Sequence, residues 1–206
     1  MPKKVDHDER RRHITEAVLS IAGRHGLDRA TLRDIAVEAG ISLGAVQHYF
    51  RSKDELLRHV IAHTGDQVTA RIMAEFTGPG GPGGPGGTAS VRAFLQVMAA
   101  EMLPLDAGRR AERRVLQAFG VRAADTPHLG ESLREGYHWL HDRVAELIGE
   151  AQRAGELRPE LDAGHESIAL LAMIEGLASD ILIGVRDPGQ AMASVRYHLD
   201  RLERAG

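Results

Sequence analysis

The chain has 206 residues, a formal net charge of -3 and no cysteine. That length accommodates one small and one medium domain with a real core. The lack of cysteine excludes a disulfide framework, a thiol nucleophile and cysteine-ligated zinc. The opening stretch MPKKVDHDERRRH lacks the apolar run of a signal peptide, so a soluble, cytoplasmic protein is expected. Charge is uneven, with a slightly basic head and an acidic remainder.

The first predicted element is a helix from His7 to Arg24, with Ile14, Val18, Ile21 and Ala22 on one face and Gly26 just beyond its end. Lys3, Lys4 and the Arg10–Arg12 run read either as an arm for phosphates or as a solvated, frayed terminus. Residues 31–54, TLRDIAVEAGISLGAVQHYFRSKD, then hold two short apolar-periodic segments joined at Gly40. Thr31 with Asp34 forms a capping-box pattern, Ser42 caps the second segment, and Ser52 with Glu55 opens a third. Leu32, Ile35, Ala36 and Ala39 share a face, Ile41 plugs the turn, and Val46 and Phe50 point the same way. This is the build of a helix-turn-helix, although a plain helical hairpin fits the pattern equally well. The second helix favours DNA. Its outward residues are Gly44, Ala45, Gln47 and His48, with Tyr49, Arg51 and Lys53 close by, and no acid or lysine precedes Arg51. Small residues permit close approach to base edges, Gln pairs with adenine, and Tyr, Arg and Lys suit phosphates.

The segment resembles the DNA-binding domain of the TetR family of transcriptional regulators. It carries that family's helix-opening threonine (Thr31), its Ala39-Gly40 turn and its Tyr49-Phe50-Arg51-Ser52-Lys53 run. Many members have an aromatic residue where this chain has Gln47, so their operator contact at that position does not transfer. The outward surface of the second helix and the resemblance together give Thr31, Arg33, Ser42, Gly44, Ala45, Gln47, His48, Tyr49 and Lys53 as the expected DNA contacts, Gln47 from the surface alone. It also implies an all-α fold of about nine helices: a helix-turn-helix domain over 1–51 and a ligand-binding and dimerisation domain over 52–206. The fourth helix, from Ser52 towards Phe76, would connect the two.

The segment 77–87, containing GPGGPGGPGG, is the one low-complexity stretch and reads as a flexible loop. Its formal G-x-G-x-x-G match lacks a preceding strand, and its prolines remove the donors that a phosphate loop needs. Helix 5 is expected after Thr88, with Val91, Phe94, Leu95, Met98 and Met102 in a stripe. Helix 6 is placed near Arg109–Ala123, and helix 7 starts at Thr126-Pro127 and ends before Gly155. Helix 8, capped by Asp162, is long and apolar enough to evoke a membrane span. Glu175 and Asp180 and the lack of flanking anchors argue against one. Leu170, Ile174, Leu177 and Ile181 lie on one face, and Ile168, Leu171, Ala172, Ser179 and Leu182 on another. A helix apolar on two sides is covered on two sides, by its own core and by a partner subunit. The family resemblance likewise implies a homodimer built on helices 8 and 9. We expect its interface at Ala172, Gly176, Ser179, Leu182, Val195, Leu199 and Leu202.

The resemblance further implies a small-molecule effector bound among helices 4 to 8. Phe94, Met98, Met102, Phe119, Tyr137, His138, Trp139 and Glu175 are the candidates, each with core or surface packing as the alternative. The stretch GELRPELD resembles a subgroup that includes choline-responsive regulators, which points to a cationic ligand facing Glu175. No cofactor or structural metal is expected. A metal sensor using His59 and His63 is the alternative function, and His138 with His141 is a second such pair. No G-x-S-x-G, P-loop or paired-carboxylate motif speaks for an enzyme. The expected partners are therefore a double-stranded DNA operator, a small effector and a second copy of the chain, with no membrane.

Overall fold

Polar residues ahead of the apolar runs start the helices. In the computed structural model, which describes residues 7–203 except 28, 29 and 88, nine helices run through the described residues. They are α1 (His7–His25), α2 (Leu32–Glu38), α3 (Leu43–Tyr49), α4 (Lys53–Thr77), α5 (Val91–Met102), α6 (Ala107–Asp125), α7 (Pro127–Arg153), α8 (Ala163–Ile183) and α9 (Pro188–Leu202). Thr31, Ser42, Ser90, Asp106, Asp162 and Asp187 cap α2, α3, α5, α6, α8 and α9, each accepting a backbone N–H at the first turn. Ser52 does the same for α4, accepting from the Glu55 N–H, while Glu55 reaches back to the Arg51 N–H. Thr88, expected to cap helix 5, lies outside the described residues, as do Lys3 and Lys4, and the cap is Ser90. No strand forms among the described residues, only an isolated antiparallel bridge between Leu157 and Glu203. None of the described helices is long and apolar enough to cross a membrane.

The chain divides into two compact units. The first comprises Met1–Asp66 and Asp106–Glu131. Its core holds Ile14, Val18, Ile35, Val46, Phe50, Leu56 and Leu57, all at most 1% exposed. Ala111, Val115, Phe119 and Ala123 recur every fourth residue on α6 and are buried in the same unit. Alongside them Arg114 donates to the carbonyls of Ala22 and Gly23 at the end of α1, and Arg122 donates to Asp54 at the start of α4. The packing boundary therefore differs from the sequence division at residue 51. The reason is that α6, far along the chain, buries its apolar stripe here.

The second unit comprises Gln67–Leu105 and Ser132–Gly206. Its core gathers Leu95, Met98, Leu103, Val144, Ile148, Leu170, Leu171, Ile174, Ile181, Val195, Leu199 and Leu202. Val195, Leu199 and Leu202 were expected at a dimer interface; at 0%, 1% and 3% exposure they instead face the core of their own unit. Leu171, expected on the outward face of α8, is buried as well, at 2% exposure. The turn after α7 is tied down from two sides. Arg158 N–H donates to the Leu202 carbonyl, and Gln152 donates to the carbonyls of Arg158 and Leu161.

The Gly/Pro segment is not the free connector that its composition predicts. Gly81, Gly84 and Gly87 each donate to the carbonyl three residues back, at 2.9, 3.0 and 3.0 Å. Gly80 and Gly86 adopt φ of +82°, as the third residue of a Pro-Gly type II turn requires. The turns coil over Phe76, whose ring meets Phe94 edge-on at 5.2 Å and whose carbonyl accepts from the Gly83 N–H. A Cβ on Gly83 would stand 2.4 Å from that ring. Glycine is therefore demanded here by close packing as much as by turn geometry.

Candidate nucleic-acid interface

The end of α2 is held on α1 by three polar contacts. His13 Nε2 donates to the Ala39 carbonyl at 2.7 Å, Ser20 donates to Glu38 at 2.7 Å, and Arg24 pairs with the other Glu38 oxygen. Those contacts hold the Glu38 carboxyl below its ordinary value, the Ser20 hydroxyl first and Arg24 second. Between the two short helices, Gly40 at φ +62° donates to the Val37 carbonyl and Ile41 donates to Ala36. That left-handed residue turns the chain without the Cβ strain other residues would incur. Ala36 and Val46 are buried behind the turn, so the opposite side of α3 is left outward.

That outward side carries the residues singled out by sequence. Gly44, Gln47 and His48 are exposed, and Ala45 and Tyr49 are half-buried. Arg33 is exposed on α2. His48 and Tyr49 meet edge-on at 5.1 Å, and His7 from the first turn of α1 stands 5.5 Å from Tyr49 and 6.3 Å from His48. Arg11 lies over the Phe50 ring at 5.5 Å. The end of the recognition helix is thus buttressed by α1, a long-range contact with no local signal in sequence.

Three candidate DNA contacts have structural duties as well. The Thr31 hydroxyl donates to Asp34 and accepts its N–H, and this pairing holds the Asp34 carboxyl low, with Arg33 and Lys53 adding to the effect. Ser42 accepts from the Ala45 N–H. Lys53 donates through Nζ to the Leu27 carbonyl at 2.8 Å, fastening the start of α4 to the turn after α1. Leu43, not singled out in sequence, begins α3 and is half-exposed one turn before the exposed Gln47.

Two family models match the chain: residues 14–60 match the bacterial regulatory proteins of the tetR family, and residues 91–204 match the C-terminal part of the BetI-type transcriptional repressors. The chain belongs to the TetR family. It is a DNA-binding transcriptional regulator of the repressor type and not an enzyme. A curated relative, the HTH-type transcriptional regulator PksA of Bacillus subtilis, is 30% identical over 204 residues, spanning 99% of this chain and 89% of its own. The HTH-type nicotine-responsive transcriptional repressor HdnoR of Paenarthrobacter nicotinovorans is 26% identical over 182 residues, 87% of each chain. Among solved structures, a transcriptional regulator from Saccharomonospora viridis in complex with choline is 25% identical, covers 94% of each chain and superposes with a TM-score of 0.76.

The candidate effector residues of this TetR-family chain do not form one group. Phe119 is 1% exposed in the core of the first unit, whereas the other seven belong to the second. Met98 is buried in that unit's core, with Phe94 and Met102 packed against it. Trp139 is 63% exposed and His138 is also outward, while Tyr137 and Glu175 are half-buried. Glu101, not singled out in sequence, is a carboxylate 6% exposed that accepts from Arg71 Nε at 2.7 Å. The metal-sensing alternative gains no support: His59 and His63 stack at 6.3 Å, but no group of three His, Asp or Glu among the described residues is arranged to hold an ion.

Proposed function

We propose that the chain represses transcription from the cytoplasm as a homodimer on a palindromic operator, and that a small cationic effector releases it. Residues 1–51 read DNA in this scheme, and residues 52–206 dimerise and bind the effector. The observation that carries the reading is the outward surface of α8 and of the segment after it. Ile168, Ile183 and Val185 are 55%, 71% and 62% exposed, with the small residues Ala172 and Gly176 outward between them. Tyr197 on α9 is 67% exposed, Ser179 and Leu182 are half-buried, and space is open above Gly176. An apolar stripe with a small-residue centre is suited to close crossing by a second copy. Two-fold symmetry in the protein then matches inverted half-sites in the DNA.

A cationic effector is supported by the choline bound to one similar structure and the nicotine response of one relative, since both compounds carry a cationic nitrogen at neutral pH. Phe94, Met98, Met102 and Tyr137 offer apolar and aromatic surface, and Glu175 offers a carboxylate. Fluorescence anisotropy of the purified protein against the DNA beside its own gene tests the reading. Specific binding is expected to fall steeply with salt and to be relieved by choline or a related amine. Equal affinity for that DNA and for random duplex, or a monomer by light scattering, would overturn it.

A further inference from the structure

The outward stripe of α3 has an unusual chemistry for a surface. Its sequence, LGAVQHY, includes no Asp, Glu, Lys or Arg. Leu43 is half-exposed, Gly44 offers no side chain, Ala45 offers a methyl, and Gln47 is exposed one turn beyond Leu43. Around Gly44 a Cβ would meet nothing nearer than the Ser42 hydroxyl at 3.9 Å, so the surface beside Leu43 is low and open. The cations nearby in sequence lie off this helix: Arg33 on α2, Arg51 after α3, and Lys53, already held by the Leu27 carbonyl.

In the major groove, guanine is most often read by the fork of an Arg or the ammonium of a Lys, and α3 has neither. The apolar feature that the groove itself presents is the thymine 5-methyl group, and the Gln side chain is matched to adenine N6 and N7. Leu43 and Gln47 stand four residues apart, on one stripe of the helix. We propose that this regulator reads its half-site through A·T pairs, Leu43 packing on a thymine methyl and Gln47 bonding an adenine, with Leu43 the specificity-determining residue. The proposal rests on the operator binding argued above and adds the class of base pair recognised.

The test selects duplexes from a pool with randomised half-sites using the full-length wild-type protein. Each thymine of the selected half-site is then replaced by uracil, which pairs alike but lacks the methyl. Wild type is expected to bind about fourfold more weakly at one uracil position, the worth of one buried methyl group. Leu43→Ala is expected to lose that sensitivity and Leu43→Met to keep it. Circular dichroism confirms that each variant is folded. Uracil neutral at every thymine, or a selected half-site of G·C pairs, overturns the proposal while operator binding stands. A pool that yields no enriched half-site instead overturns the palindromic-operator reading on which this proposal rests, and the proposal with it.

Discussion

Phe119 separates two accounts of α6, because sequence offers it as an effector contact and structure places it in a core. At 1% exposure it is among the largest fully buried side chains. A phenylalanine buries on the order of 150–200 Å². At roughly 25 cal/mol per Å², Phe119→Ala therefore forfeits about 4 kcal/mol, which falls within the usual 3–5 kcal/mol for this change in a core. Against a total stability of roughly 5–15 kcal/mol, that is a large fraction. The expected result in urea, followed by circular dichroism, is a transition midpoint shifted far down with an unchanged slope. Thermal unfolding should move down by about 10 °C. Phe94→Ala, at a half-buried position, should lose less stability and more choline response. A Phe119→Ala protein within about 1 kcal/mol of wild type, but deaf to choline, would refute the core placement.

Three further outcomes follow from the geometry. Burial, reinforced by Arg11 and His63, lowers the His59 value despite Asp8; burial with Arg201 lowers that of His198 despite Glu166. Both groups resist protonation in the fold, so stability should be full above the ordinary histidine value of 6.5 and fall as pH drops below it, and His198→Gln should flatten that loss in melts across pH. Thr31→Ala removes the side-chain arm of the α2 capping box, leaving the residue-31 N–H on Asp34, and should cost about 1 kcal/mol in urea unfolding, with the loss visible in the absence of DNA. Gly81→Ala brings a Cβ to 2.2 Å from the Glu75 carbonyl oxygen and should destabilise by about 1–3 kcal/mol, whereas Gly65→Ala, open on α4, should stabilise by up to about 1 kcal/mol. Equal melting temperatures for the two glycine variants would show the coil over Phe76 to be dispensable.

Local chemistry made much of this protein legible from sequence. Caps at Thr31, Ser42, Ser52 and Asp162, the glycine at 40, and apolar residues at helical spacing act within one or two turns, so the sequence determined the helices and the helix-turn-helix. The same short range explains what it left open. A stripe such as Ala111, Val115, Phe119 and Ala123 announces that it will be buried but not against which element, and only the tertiary structure placed it in the first unit. Val195 and Leu199 likewise read as an apolar face to be covered by a partner subunit, and packing assigned them to their own core. The Gly/Pro repeat has the composition of a free linker, and it becomes a coil of turns because Phe76, folded beside it, supplies a ring to wrap. Sequence determined which surfaces must be covered; the physical reason it did not name the covers is that burial has no direction until distant segments meet.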